Sequence, residues 1–130
     1  MSEWTAGPDL DAEIARRVFG ERIGQHGADD DAHRFIASHG VVRDLPPYSS
    51  DGRAAWTVVD LLTERGYRVH VIQYPGEASP GRHCGRVGAG DRVRCRIEQV
   101  ALGEHRRLAD IYATDAPLAI CRAALRATPE

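Results

Sequence analysis

Apolar side chains recur along this chain at two periods, and the change from one to the other divides it into segments. From Asp9 to Phe19, Leu10, Ile14 and Val18 return every fourth position, with Ala15 and Phe19 beside them. That spacing predicts an amphipathic helix. Pro8 and Asp9 suit its first turn, and Gly20 suits its end. A second helical stretch follows Pro46-Pro47, which force an extended approach. Ser49, Ser50 or Asp51 can cap a helix running to about Arg65 and closed by Gly66. Ala55, Val58, Val59 and Leu62 mark its buried face, with Trp56 at the edge. A third helix is predicted from about Asp115 to Ala127. It has Pro117 in its first turn and Leu118, Cys121, Ala124 and Leu125 facing inward.

Between the second and third helices the period falls to two. Tyr67 to Tyr74 is rich in β-branched and aromatic residues and reads as a strand. Asp91 to Ala101 reads as another: Val93, Cys95 and Ile97 point one way, Arg92, Arg94, Arg96 and Glu98 the other. The two should pair antiparallel across Pro75–Gly90, a stretch of five glycines and two prolines that reads as a flexible loop. Leu108 to Ala113 is either a third strand or a lead-in to the last helix. Glu21 to Gly40 is polar and gives a weaker signal. Short extended pieces are expected around Arg22-Ile23 and Arg34-Ile36, and a surface loop at Gln25–Asp31. Asp29-Asp30-Asp31 lacks the alternation and glycine of a calcium loop. Residues 1–130 thus read as a single α/β domain. The expected architecture is a three-layer α/β/α sandwich, with helices on both faces of a small, mainly antiparallel sheet.

Composition narrows the setting. The 130 residues carry no apolar run near the roughly 20 needed for a membrane helix. Met1 to Asp11 lacks an apolar h-region, so no secretion signal is expected. Three cysteines at irregular spacing make no disulfide framework. The reducing cytoplasm of a bacterial host is the expected location, with no membrane association. All 17 basic residues are arginine. A GC-rich genome accounts for that, yet every cation is then a planar fork suited to carboxylate or phosphate. The net charge is −2, with arginine in excess only in the second half. That balance disfavours non-specific duplex nucleic-acid binding, but leaves room for a local anion site.

Three segments carry a family resemblance. Leu10-Asp11-Ala12-Glu13-Ile14-Ala15-Arg16-Arg17-Val18-Phe19-Gly20 resembles an opening helix, with Phe19 where the family commonly has Met. Tyr48-Ser49-Ser50-Asp51 before Ala55-Trp56 resembles a central motif. The closing helix is matched by Thr114-Asp115-Ala116-Pro117-Leu118-Ala119-Ile120-Cys121-Arg122-Ala123-Ala124-Leu125. In this order the three are similar to the phage ABA sandwich domain family, small proteins of tailed phages and prophages. The resemblance implies an α/β/α fold and a phage or prophage setting. It brings no catalytic residues with it.

Chemistry gives fewer anchors. Phosphate-binding, nucleophile-elbow and zinc-protease motifs are absent from the sequence. His83, Cys84 and Cys95 lack paired zinc-ligand spacing, so no metal and no cofactor are expected, and Cys95 and Cys121 fall at core positions. His70 shares a strand face with Ile72 and Tyr74 and reads as structural before catalytic. Tyr48, Ser49 and Ser50 sit at a helix start, where they either cap the helix or seat an anion. Arg92, Arg94 and Arg96 share a face and repel one another unless paired. Either acids such as Glu98 pair with them, or the face, helped by Arg82 or Arg86, clamps an anion. The leading reading is a non-enzymatic phage accessory protein that binds a small anionic ligand such as a nucleotide and sequesters it. The second is a module contacting a host or virion protein. The third is a small nucleotide hydrolase using His70 or His83. A homo-oligomer fits each of them.

Overall fold

A computed structural model of the chain describes residues 4–26, 33–38, 41–73, 92–101 and 104–128. The described elements are α1 (Pro8–Arg17), β1 (Ile23–His26), β2 (His33–Ser38), β3 (Val41–Asp44), α2 (Gly52–Glu64), β4 (Tyr67–Gln73), β5 (Val93–Ala101), β6 (Glu104–Ala113) and α3 (Ala116–Ala127). The strands form two antiparallel three-stranded sheets, β1-β2-β3 and β4-β5-β6.

The second sheet is the platform of the molecule. β4 and β5 pair antiparallel, with Val69 opposite Ile97 and Val71 opposite Cys95. Leu108 to Ala113 belongs to a strand, which begins four residues earlier, at Glu104. The β5–β6 register shifts between Ile97 and Glu98. Alternation on β5 buries Val93, Cys95 and Ile97 against the helices, together with Ala109 and Ala113 of β6.

α3 packs on that inward face, and its composition explains how closely. Ala119, Ala123, Ala124 and Ala127 let its backbone approach β5 and β6, while Leu118, Ile120, Cys121 and Leu125 fill the remaining space. It is buried almost all round, as befits a helix enclosed on several sides. β5 and β6 lie against it, and so do α1 and α2. Arg122 of this helix holds the chain before α1: its Nε donates to the Trp4 carbonyl at 2.6 Å. Asp115 caps it by accepting from the Leu118 N–H at 3.0 Å.

α2 adds Val58 and Leu62 to the core, both with no exposed surface, and leans on β4. It ends where Gly66 takes φ 93°, a left-handed conformation that favours glycine. α1 contributes Leu10 and Ile14, and touches β1 and β2 as well as α3. Gly24 of β1 leaves room for the Phe35 ring of its partner strand, which a Cβ would strike.

Two sequence expectations change. The polar stretch after α1 holds a sheet of its own, in which Gln25 and His26, expected in a loop, belong to β1 and Val41–Asp44 forms an unanticipated β3. The described residues also do not put helices on both faces of β4-β5-β6. The face opposite the core carries Arg68, His70, Arg94, Arg96, Asp110 and Tyr112. The stretch 75–90, expected as a flexible loop, lies outside the described residues.

Candidate functional site

The two sequence-predicted sites have different fates. At the start of α2, the anion seat is already filled by the chain itself. The Asp51 carboxylate accepts from the Ala54 N–H at 2.9 Å, placing a negative charge where a bound anion would sit. Ser49 is fully buried and its polar atoms are engaged. Its Oγ donates to Asp11 Oδ1 at 2.7 Å and accepts from the Gly7 N–H at 2.9 Å, and its N–H donates to the same Asp11 oxygen at 2.8 Å. Tyr48 is 3% exposed and stacks on Phe19, with ring centroids 5.2 Å apart. Burial pushes its phenol above the usual range. Ser50 is exposed and its N–H donates to the Pro47 carbonyl at 3.2 Å. Tyr48 and Ser49 therefore tie α1 to the α2 approach. Burial pushes the Asp11 carboxyl up, and its bonds from Ser49 oppose that rise.

The arginine face is surface, and it is wider than the sequence alone indicated. Strand pairing sets its residues in rows across the three strands. Ile72, Arg94 and Tyr112 form one row, His70, Arg96 and Asp110 the next, Arg68, Glu98 and Arg107 the third. Successive rows lie about 6.6 Å apart along the strands. Arg68 and Arg107 escaped the sequence reading because membership of this face depends on register and on the irregularity beside Glu98.

Arg94 is committed within the fold. Its Nε and Nη2 donate to the two Asp110 oxygens at 2.7 and 2.6 Å, and its guanidinium lies 5.4 Å from the Tyr112 ring centroid. The bond from Arg94 holds the Asp110 carboxyl below the usual range against the opposing effect of burial, and the charges of Arg94, Arg107 and Arg96 add to it. His70 Nε2 lies 3.1 Å from Glu98 Oε1, which makes it a paired, half-buried residue. Arg96 is different. Its Nε is buried and has no hydrogen-bond partner among the described residues. Arg92 is exposed, one residue before β5, with its N–H donating to the Ala113 carbonyl at 3.0 Å. Arg82 and Arg86, expected to assist from the loop, lie outside the described residues, as do His83 and Cys84.

The described cysteines are core. Burial pushes the Cys95 thiol up to about 12 and raises the Cys121 thiol as well. Such thiols are poor nucleophiles and poor metal ligands at neutral pH. Among the described residues no three His, Cys, Asp or Glu side chains gather as a metal site. No described helix is long and apolar enough to cross a membrane.

Comparison with known proteins adds no relative: no protein family, no curated protein and no solved structure matches the chain.

Proposed function

We propose that this chain is a non-enzymatic binding protein that takes an anionic ligand, a nucleotide by preference, on the outward face of β4-β5-β6. One observation carries the reading. Among the described residues, Arg68, Arg94, Arg96 and Arg107 share that face with two acids, Glu98 and Asp110, and Arg96 keeps a buried Nε–H without an acceptor. A buried donor left unmatched costs free energy, and a phosphate or carboxylate beside Arg96 would relieve it. Arg94 does not serve as the clamp in this reading, because Asp110 holds it. Its part is to fix the surface beside Arg96. The phage setting, in which such a protein would sequester a host signal, is supported by the family resemblance of the sequence.

The test is a thermal-shift screen of nucleotides and inorganic phosphates against wild type and Arg96→Ala. A ligand of the native state raises Tm once its concentration exceeds Kd. A rise in wild type that is lost in Arg96→Ala is expected. No rise with any anion at millimolar concentration overturns the reading. Phosphate release that disappears in His70→Gln would replace it with the hydrolase reading, for which the His70–Glu98 pair is the supporting geometry.

A protein-interaction module is the second reading. It is favoured by two apolar side chains left exposed on other elements, Val42 on β3 at 68% and Trp56 on α2 at 48%.

A further inference from the structure

The arginines of the outward face are strung along a line; they do not converge on a point. Arg94, Arg96 and then Arg68 and Arg107 beside Glu98 occupy three successive rows, over about 13 Å of strand, and Arg92 stands one residue before β5. A mononucleotide places its phosphates in one spot. We propose that the face tracks a single-stranded phosphodiester chain, RNA or DNA, laid along β5; this rests on the anion-binding reading above.

The charge pattern suits a polymer with one negative charge per repeat. Both carboxylates of the face are engaged, Asp110 by Arg94 and Glu98 by His70. Arg68, Arg92 and Arg96 make no ion pair within the described residues, so three cations remain for phosphates. The excess of positive charge also opposes a second copy of the same face packing on this one. A planar element lies in the same rows. Arg94 is held flat by the two bonds it donates to Asp110 and lies over Tyr112. Unpaired bases stack on arginine planes and aromatic rings of this kind, and strand surfaces present them in sheet-based single-strand binders. A duplex is disfavoured, because the chain as a whole is acidic and duplex affinity needs a broad basic surface.

The experiment is fluorescence anisotropy with labelled oligo-U and oligo-dT of about twelve nucleotides, across a salt series. The matching duplex, ATP and poly-glutamate serve as competitors. About three phosphate contacts give a slope near −2 for log K against log salt on a single strand. Arg68→Ala, at an exposed position, and Arg96→Ala should each weaken binding and reduce the slope by about 0.7, with circular dichroism unchanged. Stronger binding of oligo-U than oligo-dT adds the 2′-hydroxyl to the contacts and supports the proposal. If ATP binds and longer strands gain nothing, the polymer inference fails while the anion reading stands. If no anion binds, both fail. If duplex or poly-glutamate competes as well as the single strand, the assignment to single-stranded nucleic acid is overturned.

Discussion

Replacing Ser49 by alanine probes how the opening helix is fastened. The hydroxyl donates to a carboxylate that is 6% exposed, at 2.7 Å, and accepts from the Gly7 N–H at 2.9 Å. Hydrogen bonds to charged groups contribute about 1.5–3 kcal/mol, and an orphaned buried N–H costs about 1–3 kcal/mol. Asp11 keeps the bond from the Ser49 N–H, and Gly7 is only partly buried, so the sum falls toward the lower ends. Ser49→Ala should lose about 2–4 kcal/mol at neutral pH, read by urea denaturation with unchanged m-value. The pH dependence has a definite sign. Asp11 is raised by burial in the native state, so its native form holds a proton more readily than the unfolded chain. Its ionisation therefore works against folding, and that penalty disappears as pH falls below the ordinary carboxylate range. The Ser49 bond offsets the penalty only while Asp11 is ionised. The deficit of Ser49→Ala should then shrink from about pH 7 to about pH 4. A deficit under about 0.5 kcal/mol, the scale of an ordinary surface substitution, or one that grows on acidification, would refute the reasoning.

Other outcomes follow from the same structure. Leu62→Ala, at a position with no exposed surface, should cost about 2–5 kcal/mol in urea unfolding by leaving a cavity. Asp110 is depressed in the native state chiefly by its bond from Arg94. Its contribution is present above the ordinary carboxylate range and lost as pH falls through its lowered value. Arg94→Met should remove that acid-side loss from a pH series of unfolding curves, and a persisting loss would show the pair to be inert. In a Cys84→Ser variant, Cys95 and Cys121 should react with a thiol reagent only after denaturant is added, and rapid native labelling would contradict their place in the core.

The helices were legible because each carries a local mark: Asp51 and Asp115 at their starts, Gly66 at an end, and apolar residues at helical spacing between. β4 and β5 were legible from alternation, which also placed Val93, Cys95 and Ile97 in the core. β1 and β3 were not. Their four-residue runs hold too few apolar positions to show a period, and tertiary pairing alone makes them strands. The start of β6 was hidden for a related reason. Glu104 to Arg107 is polar, and it pairs beyond the part of β5 that alternates core with surface. At the candidate site, the arginine alternation gave the right face of β5. The side chains that Arg94 engages came from β6, whose register no local pattern encodes. Ser49 looked like a cap or ligand seat, because the sequence does not show that Asp11 folds over it.

The most direct measurement of the central claim is a two-dimensional amide NMR titration of isotope-labelled protein with a phosphate-bearing ligand, a nucleotide first and a short oligonucleotide next. The account predicts saturable shifts at Arg68, His70, Arg96 and Tyr112, with Ser50 to Arg53 at the start of α2 unmoved, and their loss in Arg96→Ala. Shifts confined to the start of α2, or none on the outward face of β4-β5-β6, would contradict it.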